Sequence, residues 1–299
     1  MNEQWSLILG GTGVVGRYLR RHLGVNNAVS TYCQHPFEQG EYFDAASMRV
    51  GDLLARYPRI THAFVLFGMT NIDDCARRPD ESTNINVTST LRVLADLAAA
   101  NVVPVFTSSD AVFDGSSGNR TESDVPMPIL TYGRQKLHIE QYLLNHSSPS
   151  IIVRLSKVVD PEIPEGDWLG DWVRRLVHGE EIRAARDQVF SPVDANDVAS
   201  GLVTLAQQRA SGLFHMGGPE SCSRLDFLKS WSQAAMPHIA GRPLRLESCS
   251  IRDFPFVEKR PLDTSLSSTR LYQQLGRPFI GIDAMCARVV QNQFRQKPR

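Results

Sequence analysis

Short apolar runs alternating with longer amphipathic stretches fill the first half of the 299-residue chain, and no other feature narrows its fold as far. Trp5–Leu9, Ala28–Tyr32, His62–Phe67, Val102–Thr107 and Ser150–Leu155 have the length and apolar content of strands buried on both faces. Between them, Val14–Leu23, Ala46–Tyr57, Asn84–Ala100 and Tyr132–Asn145 carry helical periodicity. Parallel strands need a crossover, usually a helix, so this order predicts an α/β fold with a doubly wound parallel sheet. Right-handed crossovers then gather the strand C-termini along one edge, where the chemistry of such folds sits.

Regularity fades after Leu155. DPEIPEGDW reads as a polar, proline-containing loop, followed by helices around Trp168–His178, Asp197–Gln208 and Arg224–Met236 and a short strand at Gly212–Met216. Residues 1–155 are therefore expected to form the sheet domain. Residues 156–299 are expected to form mainly a smaller, discontinuous substrate lobe, with segments returning to the sheet. The 32 basic and 32 acidic residues cancel, which gives no long-range attraction to nucleic acid or to an anionic membrane. No apolar stretch reaches membrane-spanning length and MNEQWSLIL lacks the order of a signal peptide, so a cytoplasmic location is expected. Cys33, Cys75, Cys222, Cys249 and Cys286 are scattered and read as reduced thiols, with no metal-ligand spacing.

Gly10, Gly13 and Gly16 stand three apart in LILGGTGVVGRYLRRHL, between the first apolar run and the first amphipathic stretch. Gly10 and Gly13 permit a tight turn and close approach to a pyrophosphate, and Gly16 removes a side chain where the helix crosses the sheet. The helix start at Val14 and Val15 offers unpaired N–H groups to the phosphates. A glycine pattern alone is weak, but the strand before it and the helix after it supply the context of a Rossmann-like dinucleotide site. Many NAD sites place an acid at the end of the second strand; TYCQH, Thr31 to His35, has none there, which favours NADP(H) over NAD(H). Thr31 falls at the adenosine end, His35 and Arg17 are candidates to meet a 2′-phosphate, and Asp44 belongs near the adenine or in a solvated turn.

Two further stretches suit hydride transfer. VFTSSDAVFDG puts Ser109 at the end of the fourth apolar run, and TYGRQK puts Tyr132 and Lys136 on one face of a helix. Ser109 is placed to hold a substrate carbonyl and Tyr132 to protonate it, with Lys136 and a positive nicotinamide favouring the phenolate. Singly, each has a plain structural reading: a loop-capping serine, a core tyrosine, a solvated lysine. Their order after a glycine turn shifts the weight toward chemistry.

Six stretches carry a resemblance that covers nearly the whole chain: GGTGVVG, TNIDDCARRPDESTNINV, SSDAVFDG, YGRQK, DQVFSPVDANDVA and RPLDTSLSSTRLYQQLG. Together they resemble the dTDP-4-dehydrorhamnose reductase-like branch of the extended short-chain dehydrogenase/reductases. The resemblance implies a Rossmann domain with a discontinuous lobe that receives a nucleotide-linked sugar. It carries the carbonyl-contacting hydroxyl to Ser109, the proton donor to Tyr132, the supporting lysine to Lys136 and a helix asparagine of the cofactor site to Asn86. It also implies self-association as a homodimer. Where the family commonly has an aromatic residue this chain has Ala111, and few lobe matches extend beyond Asp187, Gln188 and Pro192. Alternatives are a nucleotide-sugar epimerase, a dehydratase (Asp110 is present, but no glutamate follows it), and a non-catalytic NADP-binding regulatory subunit. Asp110 and Arg154 join Ser109 and Tyr132 as expected substrate contacts, with Arg154 also suited to bridge the lobes. Trp168 and Trp172 read as lobe core or a stacking wall, Arg174 and Arg175 as a solvated face or a phosphate contact, and ARRPDE as a charged, exposed helix end.

Overall fold

Seven parallel strands form the central sheet, in the order Gly212–Met216, Ile151–Leu155, Val103–Ser109, Ile60–Val65, Trp5–Leu9, Ala28–Tyr32, Glu41–Tyr42. The computed structural model describes residues 5–146, 148–162, 168–238 and 245–295. Strand order reverses at Trp5–Leu9, which lies between Ile60–Val65 and Ala28–Tyr32, and the crevice for a ligand opens above such a reversal.

Alternate side chains of the strands feed two separate apolar layers. Leu7, Leu9 and Phe106 face the helices Val50–Arg56 and Thr90–Ala99, against Leu53, Leu94 and Leu97. Ile8, Phe64 and Val105 face the other way, against Leu19 of helix Val14–Leu23 and Val198 and Leu202 of helix Ala195–Gln207. The last helix belongs to the C-terminal half. So does the edge strand Gly212–Met216, which pairs with Ile151–Leu155 in register from Gly212↔Ile151 to Met216↔Leu155. A third core, with Trp172, Leu176, Phe227, Trp231, Met285 and Val289, defines the smaller lobe.

The expected helix Ala46–Tyr57 begins only at Val50. Asp44 holds the chain in a turn before it, accepting from the Ala46 N–H (2.9 Å) and the Ser47 hydroxyl (2.7 Å). The expected helix over 84–100 opens as a π-helix over Asn84–Ser89 and becomes α-helical from Thr90. Helices Thr269–Leu275 and Ile282–Arg295 had no counterpart in the sequence reading. Of the DPEIPEGDW loop, residues 163–167 lie outside the described residues. Among the described residues no helix is long and apolar enough to cross a membrane.

Candidate functional site

The glycine turn is fixed by close packing at three of its positions and by something else at the fourth. Gly10 has φ +99°, a conformation that disfavours any side chain. A Cβ on Gly11 would lie 2.0 Å from Ser30 Oγ, and one on Gly16 would lie 2.2 Å from the Gly10 carbonyl oxygen. Thr31 ties the turn to the sheet: its hydroxyl accepts from the Gly10 N–H and donates to the Ile8 carbonyl, both at 3.2 Å. Gly13 is different. Its φ of −67° and ψ of 169° suit any residue, and a Cβ there would meet nothing nearer than 3.6 Å. Gly13 is also the N-cap of the first helix, with no side chain over the free N–H groups. No acid sits in the first turn, while Arg20, Arg21 and His22 occupy the last, so the positive end of the helix dipole faces the turn unopposed. A bare, positive backbone cradle fits a dinucleotide pyrophosphate.

From this turn a cleft of about 1080 Å³ runs past the strand ends into the smaller lobe. Its volume lies just above the ~300–1,000 Å³ usual for a small-molecule site. Gly10, Gly13, Val14, Val15, Gly16 and Thr31 line one end. The Thr31–His35 stretch and Asp44 line the region beyond, while both Asp44 oxygens are engaged in its own turn. Arg17 is committed elsewhere: it pairs with Asp160 and Glu162, and Tyr18 donates to Asp160 at 2.9 Å. Arg17, expected to meet a 2′-phosphate, is absent from the lining of the cleft.

Ser109, Asp110, Tyr132 and Lys136 line the middle of the same cleft. Ser109 ends its strand, accepts from the Ala111 N–H (3.1 Å) and donates to Asp110 (3.0 Å). Its oxygen is thus held in place, and its proton is shared with a neighbour. Tyr132 and Lys136 come from the first two turns of helix Thr131–Asn145. The helix start approaches the Asp110–Val112 turn so closely that a Cβ on Gly133 would lie 2.0 Å from the Ala111 carbonyl oxygen. The sequence reading overlooked Gly133; a glycine in the first turn of an otherwise ordinary helix was the available signal.

Burial, then the charges of Asp110 and Cys75, push the Tyr132 phenol well above its ordinary value. The expected lowering by Lys136 does not govern the phenol within the protein, although the ammonium lies 5.6 Å from the ring centroid. Tyr132 is held as the neutral acid, the form that gives a proton. Burial pushes Lys136 down to about 8, against the opposing charge of Glu140 one turn along the helix. Its Nζ donates to the Thr107 carbonyl at 2.9 Å, leaving two N–H groups for the cleft. Burial also raises the Asp110 carboxyl, against hydrogen bonds from Thr264, Ser109 and Ser156.

Two expected contacts lie behind the cleft wall. Arg154 is 2% exposed and ion-paired with the fully buried Glu140 (2.7 Å), with His215 Nε2 3.2 Å from Nη1. It is absent from the lining of the cleft, where a substrate contact was expected, and it joins Glu140 to His215 on the C-terminal edge strand. The inward side of the Tyr132 helix supplies the partner instead. Asn86, in the π-helical turn, uses its amide on Met69, accepting from the N–H (2.8 Å) and donating to the carbonyl (2.9 Å), and also donates to Gln135 (2.8 Å). It is 4% exposed and holds the Gly68–Met69 turn, whose two residues line the cleft in its place.

The lining also includes Lys157, Gln188, Arg224 and Arg260, together with Arg78 and Glu81. The ARRPDE stretch is the charged, exposed helix end that was expected, and its Arg78 and Glu81 also reach the rim of the cleft. Trp172 packs against Trp168, Phe227 and Trp231 in the lobe core, and Arg174 and Arg175 pair with Asp171. Asp187 accepts from the Ser250 hydroxyl and the Ile251 N–H, tethering the loop that leads back toward the cleft.

Known proteins resemble this chain in sequence and in fold. The chain is 26% identical over 284 residues to a probable low-salt glycan biosynthesis reductase of Haloferax volcanii, covering 91% of this chain and 92% of that one. It is 25% identical over 280 residues to methionine adenosyltransferase 2 subunit beta of Rattus norvegicus, covering 89% and 80%. A hypothetical dTDP-4-dehydrorhamnose reductase from Sulfolobus tokodaii superposes with a TM-score of 0.80 at 26% identity, covering 94% of this chain and 98% of that one. The reductase of Bacillus anthracis in complex with NADP gives 0.83 at 22% identity, covering 97% and 99%. MoeE5 in complex with UDP-glucuronic acid and NAD gives 0.81 at 20%, covering 98% and 100%. Residues 5–292 match the family described as the RmlD substrate binding domain, and the chain belongs to that family.

Proposed function

We propose that the protein reduces the keto group of a nucleotide-linked sugar with a nicotinamide dinucleotide, NADP(H) in preference to NAD(H). The observation that carries this reading is one cleft lined by the bare glycine cradle, by Ser109, Tyr132 and Lys136, and by cationic side chains. A bound nicotinamide supplies the hydride; the chain's own residues orient the carbonyl and deliver the proton. Ser109, its oxygen anchored by the Ala111 N–H, turns its proton from Asp110 to the substrate oxygen. Tyr132, kept neutral by burial, gives its proton to the same oxygen as negative charge develops. Lys136 offers its two remaining donors to the cofactor and, as a cation, stabilises the phenolate left behind. Lys157 and Arg224, with Arg260 sharing its charge with Asp73, bring positive charge to the end where a sugar-nucleotide diphosphate would lie. The NADP(H) preference rests on a Thr31–His35 wall without a carboxylate and on an Asp44 already engaged in its own turn.

The similarity to a methionine adenosyltransferase beta subunit favours a second reading, a regulatory subunit that binds the dinucleotide without turnover. One experiment separates the two. Purified protein is mixed with NADPH and a panel of nucleotide-linked keto-sugars, beginning with dTDP-4-dehydrorhamnose, and absorbance of the reduced cofactor is followed. Consumption that depends on the sugar supports the reductase. Tight NADPH binding with no consumption across the panel moves the assignment to the regulatory subunit.

A further inference from the structure

The helix that carries Tyr132 begins without a cap of its own. Leu130 stands at the N-cap position and has no side-chain acceptor for the free N–H groups of the first turn. The acceptor arrives from 127 residues away. Glu258 receives the Thr131 N–H on both carboxylate oxygens, at 3.0 and 3.1 Å, and the Thr131 hydroxyl at 2.9 Å. Arg134, one turn on, lies 3.4 Å from the same carboxylate and donates to the Thr131 hydroxyl at 3.0 Å. A carboxylate at this end also lies along the favourable direction of the helix dipole.

Glu258 sits on a segment that is itself fastened down and that reaches the cleft. The Val257 N–H and Arg260 Nη2 both bind Asp73 Oδ1, at 3.0 and 2.8 Å, and Arg260 lies over the Phe256 ring at 4.3 Å. Arg260 and Pro261 then line the substrate end of the cleft. The other side of the first helical turn is already against the Ala111 carbonyl at Gly133. Tyr132 therefore stands in a turn gripped from two directions, by the Asp110–Val112 turn and by a segment of the C-terminal half.

We propose that Glu258 is a positioning residue for Tyr132: by capping the tyrosine's helix from the substrate-lining segment, it makes placement of the proton donor depend on docking of that segment. The rate consequence rests on the reductase reading; the capping itself does not. Loss of the cap loosens the turn that holds the phenol and leaves the glycine cradle untouched.

The test uses the full-length protein with Glu258→Ala and Glu258→Gln, each first shown to be folded by circular dichroism. Amide hydrogen exchange at Thr131 and Tyr132 reads the cap without any substrate. NADPH affinity by calorimetry and single-turnover oxidation of bound NADPH by dTDP-4-dehydrorhamnose read the consequence. In Glu258→Ala, exchange at the two amides should rise about tenfold, and single-turnover rate should fall roughly ten- to a hundredfold as the donor loses its geometry. NADPH affinity should stay within about twofold, because the cradle does not move. Glu258→Gln keeps an acceptor oxygen and should recover most of both protection and rate. Unchanged exchange in Glu258→Ala overturns the inference, whether or not the parent reduces the sugar. So does a lower rate with exchange unchanged, or an equal loss of NADPH affinity in both variants. If the parent oxidises NADPH with no sugar in the panel, the reductase reading fails on its own, and raised exchange in Glu258→Ala still supports the cap.

Discussion

Gly133→Ala is a small change with a large expected effect on rate and a small one on stability. Alanine is the better helix former by about 1 kcal/mol, so the isolated helix gains. In the protein, however, the new methyl would lie 2.0 Å from the Ala111 oxygen, 2.9 Å from its carbon and 3.0 Å from Pro128 Cβ. Ordinary contact begins at 3.4 Å, so the helix start and the Asp110–Val112 turn must part by roughly 1.4 Å. Overpacking of this kind costs about 1–3 kcal/mol, partly offset by the helix preference, which leaves a net loss on the order of 0–2 kcal/mol. The variant therefore folds. The displaced atoms are the ones that matter for transfer, since Tyr132 precedes the glycine and Ser109 precedes the turn. Misplacement by about 1 Å costs on the order of 10²-fold in rate. The assay pairs a thermal melt with single-turnover oxidation of enzyme-bound NADPH by the keto-sugar. A folded Gly133→Ala protein that transfers hydride within about threefold of the parent refutes the idea that this contact sets the geometry.

Tyr132→Phe should lower single-turnover hydride transfer by roughly 10²–10⁴ while leaving NADPH affinity nearly unchanged, because only the proton is removed. Gly13→Ser should fold as well as the parent or better, serine being a good N-cap, yet weaken NADPH binding at least about tenfold by filling the bare cradle; calorimetry beside a melt checks both halves. Lys136 is depressed by burial from 10.5 to about 8, so between those values the unfolded chain holds the extra proton. Parent stability should therefore rise with pH across that window relative to Lys136→Met, by up to about 3 kcal/mol, as urea titrations at pH 7 and 10.5 would show.

The parts of the fold that were legible in the sequence are those written in local pattern. Trp5–Leu9, Ala28–Tyr32 and Val14–Leu23 have the predicted boundaries, because an apolar run, a glycine turn and a periodic stretch each act over a few residues. The ordering of Ser109, Tyr132 and Lys136 was legible for the same reason, and these residues share one cleft. What escaped was decided by partners distant in sequence. An arginine at a strand end looks the same whether it faces a substrate or a buried carboxylate such as Glu140. Asn86 was recognised by its motif, but the π-helical turn that aims its amide at Met69 leaves no pattern in composition or period. Glu258 carries no local signal, since its work is done at the start of a helix far upstream.

The edge strand Gly212–Met216 gives the molecule a particular history on the ribosome. Its partner, Ile151–Leu155, is synthesised earlier, and Arg154 is 61 residues ahead of the His215 it meets. Until Met216 emerges, Ile151, Ile152 and Val153 belong to a strand with an unpaired edge, the kind of surface that recruits other chains. Nearly the whole interval between the two strands encodes parts of the smaller lobe and the helix Ala195–Gln207. Co-translational folding of the first 155 residues therefore stops one strand short, and an open strand edge waits for distant sequence to cover it.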